Sequence, residues 1–121
     1  MIVYENNTNF RRVAKANPRF NMDDFCLDLK ITTQTQVKDD LGNWLDLPET
    51  KNSFEMSLGN NRFIDPATLL FCEADSPNAV PAFDFILSIT PSMLGMTSLD
   101  QPISEPMAVY VENFLRINNV F

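Results

Sequence analysis

Carboxylates are the only acid–base side chains that recur in local groups here, since the sequence has sixteen Asp and Glu residues and no histidine. Three such groups are Asp23 and Asp24 with Asp28, Asp39 and Asp40 with Asp46, and Glu73 with Asp75. A pair of carboxylates can hydrolyse a glycoside, because one donates a proton while the other attacks or activates water. Sixteen acids in 121 residues make some pairs inevitable, so a solvated acidic surface is the plainer interpretation.

The absence of histidine removes the commonest general base and the commonest metal ligand together. Catalytic triads that use histidine are excluded, and two separated cysteines, Cys26 and Cys72, cannot fill a zinc site. Asp40, Asn43 and Asp46 do not follow the spacing of a helix–loop–helix calcium site. No two of the three glycines share a loop, so a phosphate-binding loop is absent. We therefore expect no catalytic residue, no metal and no cofactor.

The net charge of −7 is unevenly spread along the chain. Residues 8–20 contain Arg11, Arg12, Lys15 and Arg19 and no acid, so the remainder carries −11. An acidic body repels nucleic acid, and we expect no nucleic-acid partner. We predict that Arg11, Arg12 and Lys15 contact the acidic surface of a second copy or of another protein, although a solvated basic surface is the plainer alternative.

The clearest structural signal lies in the middle of the first half of the chain. Apolar and polar side chains alternate over residues 25–31, which predicts a strand with one buried and one exposed face. Threonines continue the β propensity beyond that point, and turn residues follow at 39–43. We predict a long hairpin over residues 25–47 whose polar tip projects past the core. The hairpin residues predicted to meet a partner are Thr33, Thr35, Asp39 and Asp40.

Shorter elements are predicted around this hairpin. Alternation predicts strands at 54–58 and 83–89. Residues 68–72 fit either a buried strand or a helix, and a strand is slightly favoured. Residues 8–16 predict a short helix, with Thr8 as its cap, that ends before Pro18.

The second helix is predicted at the C-terminal end. Ser104 is a good helix cap, and Glu105 supplies an acid in the first turn. Its apolar face consists of Met107, Tyr110, Val111, Phe114 and Leu115. We therefore expect one α+β domain over residues 1–121, with an antiparallel sheet of about five strands, a short N-terminal helix and a C-terminal amphipathic helix.

Two further segments carry apolar side chains without a regular period. Residues 91–104 include Met93, Leu94, Met96 and Leu99. Exposed apolar patches are typical of interfaces, and methionine adapts its shape to a partner. The chain also ends in Val120 and Phe121, which we predict to insert into a neighbour. A loop packed on the core and a frayed tail are the plainer alternatives.

Together these features favour a protein that binds other proteins or assembles with copies of itself, as a small structural component of a phage or virion does. The alternative is an acidic inhibitor or immunity-type protein that neutralises a basic partner. Its contact set would be Asp23, Asp24, Asp28, Asp39 and Asp40. An enzyme that uses carboxylates alone has only the acidic pairs in its support. No apolar run approaches the roughly 20 residues of a membrane span, so we expect no membrane contact and a cytoplasmic or virion location.

Overall fold

The chain opens with three strands that pair in sequence order through short turns. They are β1 (Ile2–Asn6), β2 (Phe10–Asn21) and β3 (Cys26–Lys38). The antiparallel β2–β3 pairing keeps one register along the whole of β2, whereas a bulge interrupts the pairing of β1 with β2. These elements belong to a computed structural model that describes residues 1–93, 95, 96, 98, 99 and 102–121.

Two more strands have β3 as their neighbour. Strand β4 (Trp44–Asp46) pairs with the C-terminal end of β3, and β5 (Asn52–Gly59) pairs with its N-terminal part. A single 3-10 turn, Pro48–Thr50, connects them. The result is a five-stranded antiparallel sheet in which β3 contacts three other strands. The predicted α+β class with antiparallel pairing is thus confirmed, and the strand predicted at 54–58 is part of β5.

The second half of the chain forms a small sheet and two helices. The sheet contains β6 (Phe63–Asp65), flanked by β7 (Leu70–Cys72) and β8 (Val80–Pro81). The helices are α1 (Ala82–Met93) and α2 (Glu105–Ile117). Strand β7 decides the ambiguous segment at 68–72 in favour of a strand.

The predicted short helix over residues 8–16 is wrong, because β2 occupies most of that range. Phe10, Val13 and Ala14 have helical spacing, but the buried alanines, Ala14 and Ala16, alternate on one face of a strand. An isolated helix of nine residues is marginal in water. Pairing with β1 on one side and β3 on the other satisfies the backbone of this segment more fully.

Pro18 does not end a helix but lies within β2. The pairing of β1 with β2 reaches only as far as Ala14, so β2 is an edge strand beyond that residue. Alternate residues of a strand direct their backbone groups to the same side, so the backbone nitrogen of Pro18 faces the outer edge, as that of Ala16 does. No neighbouring strand lies there that would need the N–H which proline lacks.

The predicted strand over residues 83–89 is also wrong, since this segment lies in α1. Apolar residues recur at every second position, yet the deeply buried ones, Ala82, Phe83, Ile86 and Thr90, recur at helical spacings. The buried Thr90 hydroxyl has a hydrogen-bond partner within the helix, because it donates to the Ile86 carbonyl oxygen at 2.6 Å.

Both helices pack on one face of the large sheet. Leu27, Leu29 and Ile31 of β3 are fully buried there, in one cluster with apolar side chains of α1 and α2. The rings of Phe20 in β2 and Phe83 in α1 meet edge to face, with centroids 6.3 Å apart. We call this side the helix-bearing face, and the opposite side of the same sheet the open face.

The C-terminal amphipathic helix is confirmed, together with its predicted cap. The Ser104 hydroxyl accepts a hydrogen bond from the Met107 N–H at 3.3 Å. At the other end, Asn119 is left-handed (φ 56°), and the N–H groups of Asn119 and Val120 donate to the carbonyls of Arg116 and Leu115. This is a Schellman motif, which satisfies the last carbonyls of a helix.

A buried carboxylate joins α2 to the edge of the sheet. Glu112 is 2% exposed, and its Oε1 lies 3.0 Å from the Met1 amino group. Its Oε2 accepts the Ala16 N–H at 3.4 Å. That N–H lies on the edge of β2 beyond the last pair with β1, so Glu112 takes the place of a strand partner.

We expect Glu112→Ala to lower the free energy of unfolding by about 1–3 kcal/mol, because it leaves the buried Ala16 N–H without its acceptor. Urea unfolding followed by circular dichroism measures this. Glu112→Gln is the control, since its amide oxygen can still accept that hydrogen bond, and it should lose less. Equal midpoints for the wild-type chain and the alanine variant would show that the carboxylate does not stabilise the fold.

Candidate protein-docking surfaces

One end of the large sheet extends beyond the core. Ile31 is the last buried residue of β3, and the pairing of β3 with β5 extends only to Thr33, which lies opposite Asn52. From Thr35 onward β3 is accompanied only by the start of β2 and by β4 among the described strands. We call this extension, residues 9–12 and 35–46, the arm. It confirms the placement of a turn at 39–43, although the returning strand β4 is short.

The arm carries uncovered apolar side chains on its helix-bearing face. Phe10, Val37 and Leu45 lie directly opposite one another on three neighbouring strands. Phe10 and Leu45 are 38% and 50% exposed, and Leu41 in the tip is 86% exposed. Leu41 is the most exposed of the large apolar side chains in the described part of the chain.

On its other side the arm is held by a cross-strand network. The Arg11 guanidinium lies 4.6 Å from the centre of the Trp44 ring, and the Lys38 ammonium lies 5.7 Å from it. Arg11 donates to the Gln36 side-chain oxygen at 2.8 Å, and the Gln36 amide donates to Asp46 at 2.7 Å. Cation–π contacts and side-chain hydrogen bonds therefore keep the three strands in register.

The turn at the tip is closed by one carboxylate. Asp39 Oδ1 accepts the N–H groups of Leu41 at 2.9 Å and Asn43 at 2.8 Å. Gly42 has φ 86°, a conformation that glycine adopts without strain. Asp39 therefore shapes the turn, and Asp40 and Leu41 are the residues that the turn presents to solvent.

The open face concentrates the cations of this acidic chain. Strand alternation places five of the nine Lys and Arg side chains there, but only three of the sixteen acids. The cations are Arg11, Lys15, Arg19, Lys30 and Lys38, and the acids are Asp28, Asp46 and Glu55. Its charge is thus +2, whereas residues 60–121, which form the helices and the small sheet, carry −5.

Asp28 lies at the centre of a hydrogen-bond network on the open face. Its Oδ1 accepts from the Ser57 hydroxyl at 2.8 Å and from the Cys26 thiol at 3.3 Å. Its Oδ2 accepts from Asn21 at 3.2 Å and from Arg19 at 3.4 Å. The hydrogen bond from Ser57, followed by that from Cys26, holds the pKa of the Asp28 carboxyl below its usual range.

The same contact affects Cys26 in the opposite sense. Burial, reinforced by the hydrogen bond to Asp28 and by its charge, raises the pKa of the Cys26 thiol. Cys72 is more accessible, and both cysteines are free thiols. Among the described residues, no group of three or more Cys, Asp and Glu side chains could hold a metal ion.

The predicted basic set is divided between the two faces. Arg11 and Lys15 lie on the open face, whereas Arg12 lies on the helix-bearing face, with its Nε 3.3 Å from the Glu5 carboxylate. Thr33 and Thr35 also lie on the helix-bearing face and are half-buried. The Thr35 N–H donates to the Thr50 hydroxyl at 2.9 Å, so this backbone group is already satisfied within the chain.

The other predicted contact residues lie mainly against the chain's own core. Met96 is 2% exposed, and Leu99 is half-buried. Val120 and Phe121 pack on the core, with the Phe121 ring 5.4 Å from that of Tyr4. Leu94 and the side chain of Met93 lie outside the described residues.

The contact set of the inhibitor alternative is not brought together. Asp23 and Asp24 follow the end of β2, and Asp39 and Asp40 follow the end of β3. The thirteen residues of β3 separate these two turns by about 40 Å. The fifth member, Asp28, is engaged within the chain by four hydrogen-bond donors.

Sequence reasoning missed several residues of these surfaces. Phe10 and Leu45 join the apolar row only through the registers of β2 and β4 with β3, and Lys30 and Lys38 join the basic set in the same way. One signal was present: had residues 10–21 been taken as a strand, alternation would have placed Arg11, Lys15 and Arg19 on one face.

A cavity of about 850 Å³ lies against the middle of β2, β3 and β5 and is bordered by Leu99, Pro102 and Ile103.

No helix in the described ranges is long and apolar enough to cross a membrane. Comparison of the chain with protein-family models, curated proteins and solved structures found no match.

Asp28→Asn tests the carboxylate network. The lowered pKa means that ionised Asp28 stabilises the fold above the unfolded-state value of about 3.9, and that this contribution is lost as the pH falls through the folded-state value. We expect the variant to be less stable at pH 7 and the difference to shrink below about pH 4. Urea unfolding between pH 2 and pH 7 checks this, with the exposed Asp40→Asn as control. A constant difference across that range would contradict it.

Alkylation distinguishes the two thiols. We expect iodoacetamide at about pH 8 to modify Cys72 faster than Cys26, because Cys26 is buried and its raised pKa reduces the thiolate fraction. Peptide mass spectrometry over a time course measures both rates. In Asp28→Asn, Cys26 loses one cause of its raised pKa, and its rate should increase. Faster labelling of Cys26 in the wild-type chain would contradict the burial described here.

Proposed function

We propose that this chain is a non-catalytic protein that assembles with copies of itself, and that the arm supplies a contact. The observation that carries this proposal is the apolar row of Phe10, Val37 and Leu45, in which Phe10 and Leu45 are exposed, together with the exposed Leu41 at the tip. Contiguous apolar surface of this kind is typical of sites that bind proteins. Burying it in a neighbour removes it from water.

The length of the arm supports the same proposal. Strand β3 continues seven residues beyond Ile31, its last buried residue, and this distance is about 23 Å. The contacts of Arg11 and Lys38 with Trp44 order this extension before any partner binds. A preformed surface loses less conformational entropy on association than a flexible one.

The non-catalytic part of the proposal rests on the chemistry of the side chains. There is no histidine, and the carboxylates of Asp28 and Asp39 hold strands and a turn together. The exposed acids Asp23 and Asp24 lie at one end of β3, and Asp40 lies at the other. Asp40 therefore cannot act as an acid–base partner of Asp23 or Asp24 on one bond.

The position of the arm favours a repeating assembly. An arm at one end that binds a different surface of the next copy makes a heterologous contact, which builds rings or open filaments. A small structural subunit of a virion or similar particle is a protein that works in this way.

The test is absolute mass by light scattering after gel filtration, over a range of concentrations. We expect the wild-type chain to give multiples of 13.8 kDa. Leu41→Thr/Leu45→Thr should shift the mass towards the monomer and raise the dissociation constant at least tenfold. The reason is that burying one leucine side chain contributes about 1.5–3 kcal/mol.

Met22→Thr/Phe25→Asn is the matched control, because these side chains are 44% and 62% exposed and lie between β2 and β3, at the opposite end of β3 from the arm. It should assemble like the wild type. Circular dichroism must show that both double variants fold. A wild-type chain that stays monomeric up to about 1 mM, or an arm variant with wild-type mass, would contradict the proposal.

A further inference from the structure

Charge is segregated between the two sides of this molecule. The open face carries +2, although the chain as a whole carries −7. Four further acids lie in the turns after β2 and β3, and residues 60–121 carry −5. The sheet therefore presents a basic surface on one side, while the layer that packs on its other side is acidic.

The basic side chains of the open face are available to a partner. Lys15 and Lys30 are exposed, with Glu55 opposite Lys30 on β5, whereas Arg19 already pairs with Asp28. Lys15 lies opposite Thr32 and Lys30 lies opposite Asn17, which makes the two lysines diagonal neighbours about 7–8 Å apart. Two like charges at this distance favour an acidic surface between or above them.

The size of the open face suits a specific protein contact. Three strands lie abreast along most of the sheet, at about 4.8 Å spacing, and β3 is about 40 Å long. The face therefore measures about 15 Å by 40 Å, or about 600 Å², which is at the lower end of what each partner contributes to a stable interface.

The complementary surface is present on the same chain. The helices and the small sheet carry exposed acids at Glu73, Asp75, Asp84 and Glu105. Their cations are Arg62 and Arg116. One molecule thus offers a basic face on one side and acidic groups in the layer on the other side, which is the arrangement required for stacking head to tail.

We propose that the open face of one copy binds the acidic, helix-bearing side of a second copy, with Lys15 and Lys30 as central basic contacts. This inference rests on the proposed self-assembly and adds to it a second, electrostatic contact. The contact is heterologous, because two different surfaces meet, and it therefore repeats from copy to copy. It differs physically from the arm contact, since salt weakens it.

The experiment measures self-association by light scattering at about 0.02 M and about 0.5 M salt, where the screening length falls from about 20 Å to about 4 Å. We expect association of the wild-type chain to weaken with salt. At low salt Lys15→Gln/Lys30→Gln should raise the dissociation constant about three- to tenfold, and at high salt the variant and wild type should coincide.

Lys51→Gln/Arg116→Gln is the matched control, because it removes the same charge from exposed positions outside the open face. Since Arg116 lies in the acidic layer, this variant should associate as well as the wild type or more tightly. Equal weakening by both double variants would overturn the inference, because it would show that only net charge matters.

The remaining outcomes separate the two proposals. Association that responds to Leu41→Thr/Leu45→Thr but not to salt or to Lys15→Gln/Lys30→Gln would overturn the open-face contact and leave the arm contact intact. Association that responds to salt and to the lysine variant but not to the arm variant would support the open-face contact and exclude the arm contact. A chain that is monomeric at low salt would overturn both.

Discussion

The pairing of β2 with β3, which is unbroken along β2, positions the other three strands of the large sheet, because β1 pairs with β2 and both β4 and β5 pair with β3. Its single register decides which side chains of both strands face the helices and which face solvent. Because side chains alternate with period two, a slip by one residue would exchange Leu27, Leu29 and Ile31 with Asp28, Lys30 and Thr32. The core, the Asp28 network and the basic open face would all be lost together. Strands β4 and β5 take their positions from the same β3.

Local patterns were enough to predict the elements whose burial repeats with one clear period. Strand β3, strand β5 and helix α2, with its Ser104 cap, follow from alternation or from helical spacing alone. Residues 8–16 did not, because Phe10, Val13 and Ala14 match a helix while the pairing that makes them a strand comes from residues far along the chain. Helix α1 was missed for the converse reason, since its apolar residues fit both periods and burial by other elements decided between them.

The candidate surfaces were predicted only in part, for a related reason. Arg11 and Lys15 were recognisable because they are close together in sequence, whereas Lys30 and Lys38 become their neighbours through strand register. The apolar ending, Val120 and Phe121, looked like a free tail, but the Schellman turn at Asn119 directs it back to Tyr4. Glu112 was not predicted, since its role requires a contact with an N–H 96 residues away. The arm is an apolar surface and the open face is a charged one, so added salt weakens contacts of the open face and does not weaken apolar contacts of the arm.

The placement of α2 has a consequence for how the chain folds. Strands β1, β2 and β3 are joined by short turns, so their hairpins close small loops at little cost in entropy. The contacts of α2 with Ala16 and Met1 join residues 96 and 111 positions apart, and they can form only after α2 has been synthesised. During synthesis, the first three strands can therefore pair before α2 exists, and the apolar face of Leu27, Leu29 and Ile31 lacks that helix in the interval. A nascent chain that stalls before residue 105 leaves this apolar face without α2, and exposed apolar surface of this kind promotes aggregation.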